Sequence, residues 1–259
     1  MGYVYAFRSA FFEQIKHDMR LGEVLFFLVV NIPLAVALAW IASKGESSVP
    51  IDYLLVGVLL MSIWNRVSIR LGWSITSDIL AGTYDYIATA RTPLALIVFT
   101  RALAISVLGI LSGLLPIVVM VWISGRFIQV HEPWLLAFGV GIGAFSVLSV
   151  SINFAPLFLL VRGREGFFNV IRPMGVVLGG FFYPVAFLTP GVEVVARALP
   201  AAWAMDAVVV ALEPGGNTLQ GGWDLAVALA ISLGYLTLAY LLLIKVEHRV
   251  RVEGNMRAF

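Results

Sequence analysis

The chain has 259 residues, of which 61% are hydrophobic and 12% charged, with a net charge of +2 and a mean hydropathy of +0.97. A soluble domain of this size needs far more polar surface, so the composition excludes a soluble globule and indicates an integral membrane protein. Cysteine is absent, which excludes disulfides, thiolate metal sites and cysteine nucleophiles.

The first predicted element is an amphipathic helix within residues 1–23. Phe7, Phe11, Ile15 and Met19 recur at helical spacing, while Arg8, Glu13, Lys16, His17 and Arg20 supply charge elsewhere on its surface, as suits a helix lying among lipid headgroups. It reads either as a plain anchor or as a surface that also meets a cytoplasmic partner. Six apolar runs follow, measured against the roughly 20 helical residues that a bilayer requires. They are Val24 to Ala42, Tyr53 to Trp73, Leu94 to Ser124, Trp134 to Val161, Val170 to Leu188 and Trp223 to Ile244. The third and fourth exceed one crossing, so they tilt or extend past the membrane. The first is expected to be retained, because no small-residue cleavage pattern follows it. One transmembrane domain is therefore expected over 1–259, with a six-span bundle at 24–244 and a cytoplasmic tail at 245–259.

Between the second and third runs lies Ser77 to Pro93, SDILAGTYDYIATARTP, too polar to cross a membrane. Read as a helix broken at Gly82, it puts Ile79, Thr83, Ile87, Ala90 and Leu94 on one side, with Asp78, Asp85 and Thr89 on the other. Placing both termini inside assigns all but Lys44, Arg126 and Arg197 of the 17 basic residues to the inner side or its boundary. That asymmetry orients the chain with both termini, and this insert, in the cytoplasm.

After the fifth run, Gly179 to Gly216 contains Pro184, Pro190, Pro200 and Pro214, which one unbroken helix does not accommodate. Glu193, Arg197 and Asp206 lie among its apolar residues. Short helices that dip into the outer leaflet and return are expected here, with a seventh crossing as the alternative. Within the spans, Asn31, Ser62, Ser151 and Asn153 are placed to bond across helices. The pairs Gly109/Gly113, Gly139/Gly143 and Gly175/Gly179 have the spacing of close helix approach. Pro116 and Pro156 are expected to kink their spans. Arg66 and Arg70 stand one turn apart near the inner end of the second span, where snorkelling to the headgroups is favoured over a functional charge.

Three features carry a family resemblance. Gly82-Thr83-Tyr84 leads through an apolar stretch to Thr89-Ala90-Arg91-Thr92-Pro93; Phe182-Tyr183-Pro184 is followed by Leu199-Pro200; and the length, the N-terminal helix and the six runs make a consistent layout. In these the chain resembles the permease subunits of the type-2 export family of ABC transporters. It departs from them in having Ile79, Leu80 and Ala81 after Asp78, and Tyr86-Ile87 where a leucine pair is common.

The resemblance implies an all-α integral membrane fold of six transmembrane helices. To these it adds an amphipathic N-terminal interfacial helix, a cytoplasmic coupling helix and an outer re-entrant hairpin after the fifth span. It implies a cell (inner, cytoplasmic) membrane location and a transport subunit that is not catalytic by itself. The sequence holds no Gly-x-x-x-x-Gly-Lys-Ser/Thr phosphate loop. No cofactor is therefore expected in this chain; ATP and Mg would be bound by a separate ATP-binding cassette subunit, and a second permease, identical or related, would complete the pathway. Implied ATPase-coupling residues are Asp78, Thr83, Tyr84, Asp85, Tyr86 and Arg91, with Arg162, Arg164 and Glu165 as a second contact. Tyr84 and Tyr86 also suit interfacial anchoring, and Arg162 and Arg164 suit topology alone. Implied pathway residues are Leu60, Ile63, Trp64, Phe181, Phe182 and Tyr183, whose aromatic character suits a lipophilic or amphipathic cargo. Packing against lipid or a neighbouring helix is their plain alternative.

Other classes fit less well. His17, His131 and His248 are each isolated, which disfavours a membrane metalloenzyme or hydrolase. A secondary transporter or channel would more often carry acidic residues within its spans. Export of a lipid-linked polysaccharide is the alternative within the family; nucleic acid is not an expected partner.

Overall fold

The computed structural model describes residues 2–43, 49–83, 87, 92–125, 129–160 and 173–253. Every regular element among them is helical, as befits a chain whose backbone polar groups must be satisfied without water. The helices are α1 (Gly2–Asp18), α2 (Leu21–Ser43), α3 (Ile51–Leu80), α4 (Leu94–Ser124), α5 (Pro133–Ile152), α6 (Phe154–Leu160), α7 (Pro190–Ala196), α8 (Pro200–Leu212) and α9 (Thr218–Glu253). A helical run over 173–178 and a 3-10 turn at Val185–Phe187 lie between α6 and α7.

Four helical stretches are long and apolar enough to cross a membrane: Ile51–Leu80, Leu94–Ser124, Pro133–Leu157 and Thr218–Arg249. The pair Pro190–Ala196 and Pro200–Leu212, bent by 102°, makes a fifth if it counts as one crossing. The protein is thus a multi-pass, membrane-embedded helical protein. The four stretches coincide with the second, third, fourth and sixth expected runs. α2 covers the first over 23 residues, with Pro33 inside it. The described part of Val170 to Leu188 is not one helix. It is helical over 173–178 and turns at Gly179–Gly180, with Gly180 at φ +71° and Pro184 just beyond.

α3 is the hub. It packs against α2, α4, α5, α6 and α8, and 83% of its most apolar stretch is buried, against 22% for α9. Close approach to it relies on absent side chains. A methyl group added at Gly57 would stand 1.8 Å from the Phe181 carbonyl oxygen, and one at Gly175 would stand 2.0 Å from the Trp64 indole. Gly109 meets Ile63, while Gly139 and Gly143 meet Val208 and Leu60. The expected glycine pairs on α4 and α5 therefore sit at helix crossings. Gly175 also sits at one, while Gly179 faces Phe181 and the Gly175 carbonyl.

Hydrogen bonds order the two ends of the bundle. At one end α1 reaches α3 through Asp18 and Arg70, and Glu247 near the end of α9 accepts from the Leu94 N–H at 3.1 Å, capping the start of α4. At the other end the Tyr53 hydroxyl donates to the Gly180 carbonyl, and the N–H groups of His131 and Glu132 both donate to Ala211 O at 3.1 Å. The described N-terminal helix and the last turns of α9 share the first end. Segment 180–212 leaves and rejoins the second.

Between α5 and α9 the glue is polar. The Ser146 and Ser232 hydroxyls lie 3.0 Å apart, and Asn153 Nδ2 donates to Tyr235 O at 3.1 Å. Ser62, expected to bond across helices, instead donates to Val58 O within α3.

Candidate functional site

The most elaborate polar construction lies where α1 meets α3. Along α1, Phe7, Phe11, Gln14 and Asp18 follow one another at spacings of three and four residues and so share a face. Gln14 and Asp18 are buried, at 6% and 0% exposure. Gln14 Nε2 donates to Asp18 Oδ1 at 3.1 Å. On α3, Arg70 donates to the same oxygen through Nε at 3.0 Å and Nη2 at 2.5 Å. Arg66 Nη2 donates to the Asp18 carbonyl at 3.1 Å, so a cation meets the negative end of the α1 dipole. Arg70 Nη2 also lies 3.1 Å from His17 Nδ1; a guanidinium only donates, so that nitrogen is the acceptor.

This overturns the snorkelling reading of Arg66 and Arg70. Both are buried, at 2% and 8% exposure, because α1 covers them and Asp18 supplies the countercharge. Two cations removed from water require such a partner.

A second ion pair lies beside it. Asp78, in the last turn of α3, pairs with Arg101 of α4, with both side chains roughly four-fifths buried. The helix ends two residues later, and Gly82 turns the chain at φ +69°, a left-handed conformation that glycine adopts readily. Thr83 then folds back, its N–H and hydroxyl donating to Asp78 O at 2.9 and 3.2 Å. A helical bond from Ile87 N–H to Thr83 O, 3.2 Å, follows, and Ile79 and Ile87 rest against the core. A polar cavity of about 200 Å³ opens between α1, α3 and α4, lined by Glu13, Gln14, His17, Ser77, Asp78 and Arg101 among others.

The expected contact residues therefore divide. Asp78 faces inward to Arg101, and Thr83 is exposed on the turn. Ser77 to Leu80 belong to α3 and not to a separate insert. Tyr84, Asp85, Tyr86, Arg91, Arg162, Arg164 and Glu165 lie outside the described residues. Among the expected pathway residues, Leu60, Ile63 and Phe181 are fully buried in the chain's own core. Trp64 packs edge-on against Phe154 with ring centroids 5.7 Å apart. Phe182 and Tyr183 are half-buried.

At the opposite end, Arg197 pairs with Asp206 and, at 3.3 Å, with Glu193. Its guanidinium lies 4.8 Å from the Trp203 ring centroid, and Trp203 Nε1 returns a bond to Arg197 O at 2.9 Å. Arg197 thus meets both acidic side chains expected among the apolar residues of this segment, across the α7–α8 bend.

Sequence reasoning missed Asp18 and Gln14. The signal was a polar pair continuing the apolar row of Phe7 and Phe11, which implies a polar counterpart on whatever that row covers.

Fold and site together define a helical membrane protein with a charge-locked N-terminal helix at one end and a bent, charge-clamped helix pair at the other. No protein-family model matches the chain, and no curated protein matches it.

Proposed function

We propose that the chain is the transmembrane permease subunit of an ATP-driven ABC exporter for a lipophilic or amphipathic substrate. Two permeases would enclose the pathway, and separate ATP-binding subunits would supply the energy. The observation that carries this reading is the construction of the α1 end. Asp18 ties α1 to Arg66 and Arg70 of α3, and Asp78 ties the end of α3 to Arg101 beside the Gly82 turn. Force applied to α1 or to the turn thereby reaches the most enclosed helix of the bundle, the kind of rigid-body displacement that packed helices support.

In this reading Thr83, Tyr84, Asp85, Tyr86 and Arg91 meet the ATPase, with Arg162, Arg164 and Glu165 as a second contact. Asp78 holds the turn from behind. α2 and the fifth run, whose described helical part is 173–178, are read as completing six crossings, and the basic residues put the α1 end in the cytoplasm. The α7–α8 pair is a re-entrant hairpin, a reading supported by its flanks, which meet the same end of the bundle through Tyr53 and through His131 and Glu132. Phe182 and Tyr183 face the pathway, backed by Leu60, Ile63, Trp64 and Phe181.

The test is purification of the full chain from its native membranes with its bound proteins, then reconstitution. The expected result is a co-purifying phosphate-loop ATPase whose hydrolysis is stimulated by amphiphilic drugs or lipids. Stimulation by lipid-linked glycans alone would reassign the cargo. Transport that survives ATP depletion and stops when ion gradients are collapsed would replace the proposal with a secondary transporter.

A further inference from the structure

The polar cavity between α1, α3 and α4 is chemically one-sided. Gln14 lines it while only 6% exposed. Its Nε2 donates to Asp18 Oδ1, and a carboxylate only accepts, so the amide is fixed with its NH2 toward Asp18. Gln14 Oε1, on the other arm of the fork, accepts from no group among the described residues and is left to the cavity. Ser74 and Ser77 also line it, and both donate their hydroxyls back along α3, to Leu71 O at 3.1 Å and to Ser74 O at 2.8 Å. Each serine then offers the cavity lone pairs alone. Glu13 and Asp78 add two carboxylates.

The donors on the described lining are fewer. His17 accepts from Arg70 at Nδ1, which leaves its proton on Nε2. Arg101 is engaged with Asp78. Lys16 reaches Glu13 Oε1 at 3.2 Å, with both side chains at least 70% exposed, a pairing that water weakens. Acceptors on this lining therefore outnumber donors, and two carboxylates face one guanidinium, so a ligand that completes it brings N–H groups and positive charge. Among the described residues no three of His, Cys, Asp and Glu come together to hold a metal ion, which points to an organic cation. The cavity, about 200 Å³, is smaller than the roughly 300–1,000 Å³ of a site for a drug-sized molecule. It admits one head group.

We infer that the cavity binds a single ammonium or guanidinium group. Gln14 Oε1, Ser74 Oγ and Ser77 Oγ take its N–H groups, while Glu13 and Asp78 supply the countercharge. The bound cation joins α1 to the end of α3, one turn and more beyond the Asp18 lock. Two sources carry this chemistry, a free amine and the basic side chain of another protein. Binding of either requires neither an ATP-binding subunit nor a transported substrate.

The test uses the full chain in phosphatidylcholine discs. Because native cysteine is absent, a trifluoromethyl label on Leu80→Cys, an exposed position one turn beyond Ser77, reports on the cavity by fluorine NMR. The probes are agmatine, a free cation, and N-acetyl-arginine amide, which presents the same guanidinium as a protein does. Saturable shifts are expected, with a Kd in about the millimolar range for ligands of this size. Ser77→Ala should weaken binding about ten-fold and Glu13→Gln about three-fold. Ala10→Leu should fill the cavity and abolish binding, with hydrogen exchange over residues 2–18 unchanged. Tighter binding of the blocked arginine assigns the site to a partner's side chain, and tighter binding of agmatine to a free amine. Shifts that stay linear in probe concentration, an equal shift from inorganic phosphate at matched ionic strength, or full affinity in the Ser77→Ala, Glu13→Gln double variant would overturn the inference.

Discussion

Replacing Asp18 by Asn tests the lock on α1 directly. The substitution keeps the shape and an acceptor oxygen but removes the carboxylate charge that Arg70 meets. Asp18 is fully buried and the Arg70 side chain is 10% exposed, so solvent screening does little to soften the loss. Removing one partner of a buried pair costs about 3–5 kcal/mol; the retained amide puts this case at the lower end, about 3 kcal/mol, or roughly 100-fold in the ratio of docked to released α1. The cost falls on local release and not on global unfolding, since α2 to α9 keep their contacts. Hydrogen exchange over residues 2–18 is the direct readout. The absence of native cysteine also allows a single spin label at Phe12→Cys, an exposed position on α1. Asp18→Asn combined with Arg70→Gln should recover part of the protection, with a coupling above about 1 kcal/mol, against the few tenths expected of independent sites. Unchanged exchange in Asp18→Asn, or additive single effects, would refute the lock.

Gly57→Ala should prevent stable folding, because the added methyl meets the Phe181 backbone. Gly139→Ala meets the end of the Val208 side chain at 2.9 Å and should cost no more than the roughly 1–3 kcal/mol of ordinary overpacking; thermal unfolding in detergent compares the two. Cysteines at Gly191 and Glu213, both exposed, should both react with an impermeant reagent from outside the cell if α7 and α8 form a re-entrant hairpin. Reaction of the second from the cytoplasm alone would make the pair a crossing.

Hydropathy located the four long helices because each supplies an unbroken apolar stretch, and the prolines at 190 and 200 marked the starts of α7 and α8, where a missing N–H does no harm. The end of the fifth run was misread because Phe181, Phe182 and Tyr183 keep it apolar through a turn made by Gly179 and Gly180. Counting apolar residues is blind to that backbone change. Arg66 and Arg70 were visible as costly charges, but their partner stands 48 and 52 residues earlier, on a helix whose outward pattern suggested lipid contact. Asp78 was legible as polar and useful, yet its inward turn to Arg101 depends on α4 returning alongside α3, which no local pattern announces.

The burial of α3 bears on how the protein is made. Arg66 and Arg70 stand well inside a 30-residue helix, and a lone arginine within a span opposes insertion, by up to about 2.5–3.5 kcal/mol at its centre and less toward its end. As the chain emerges, α3 is thus a helix that lipid receives poorly. Asp18, 48 residues before Arg66, has by then already been synthesised. Because α1 precedes α3 in the chain, Asp18 is available to the two arginines as they arrive, and α1 serves as an internal assembly partner for the helix around which the others gather.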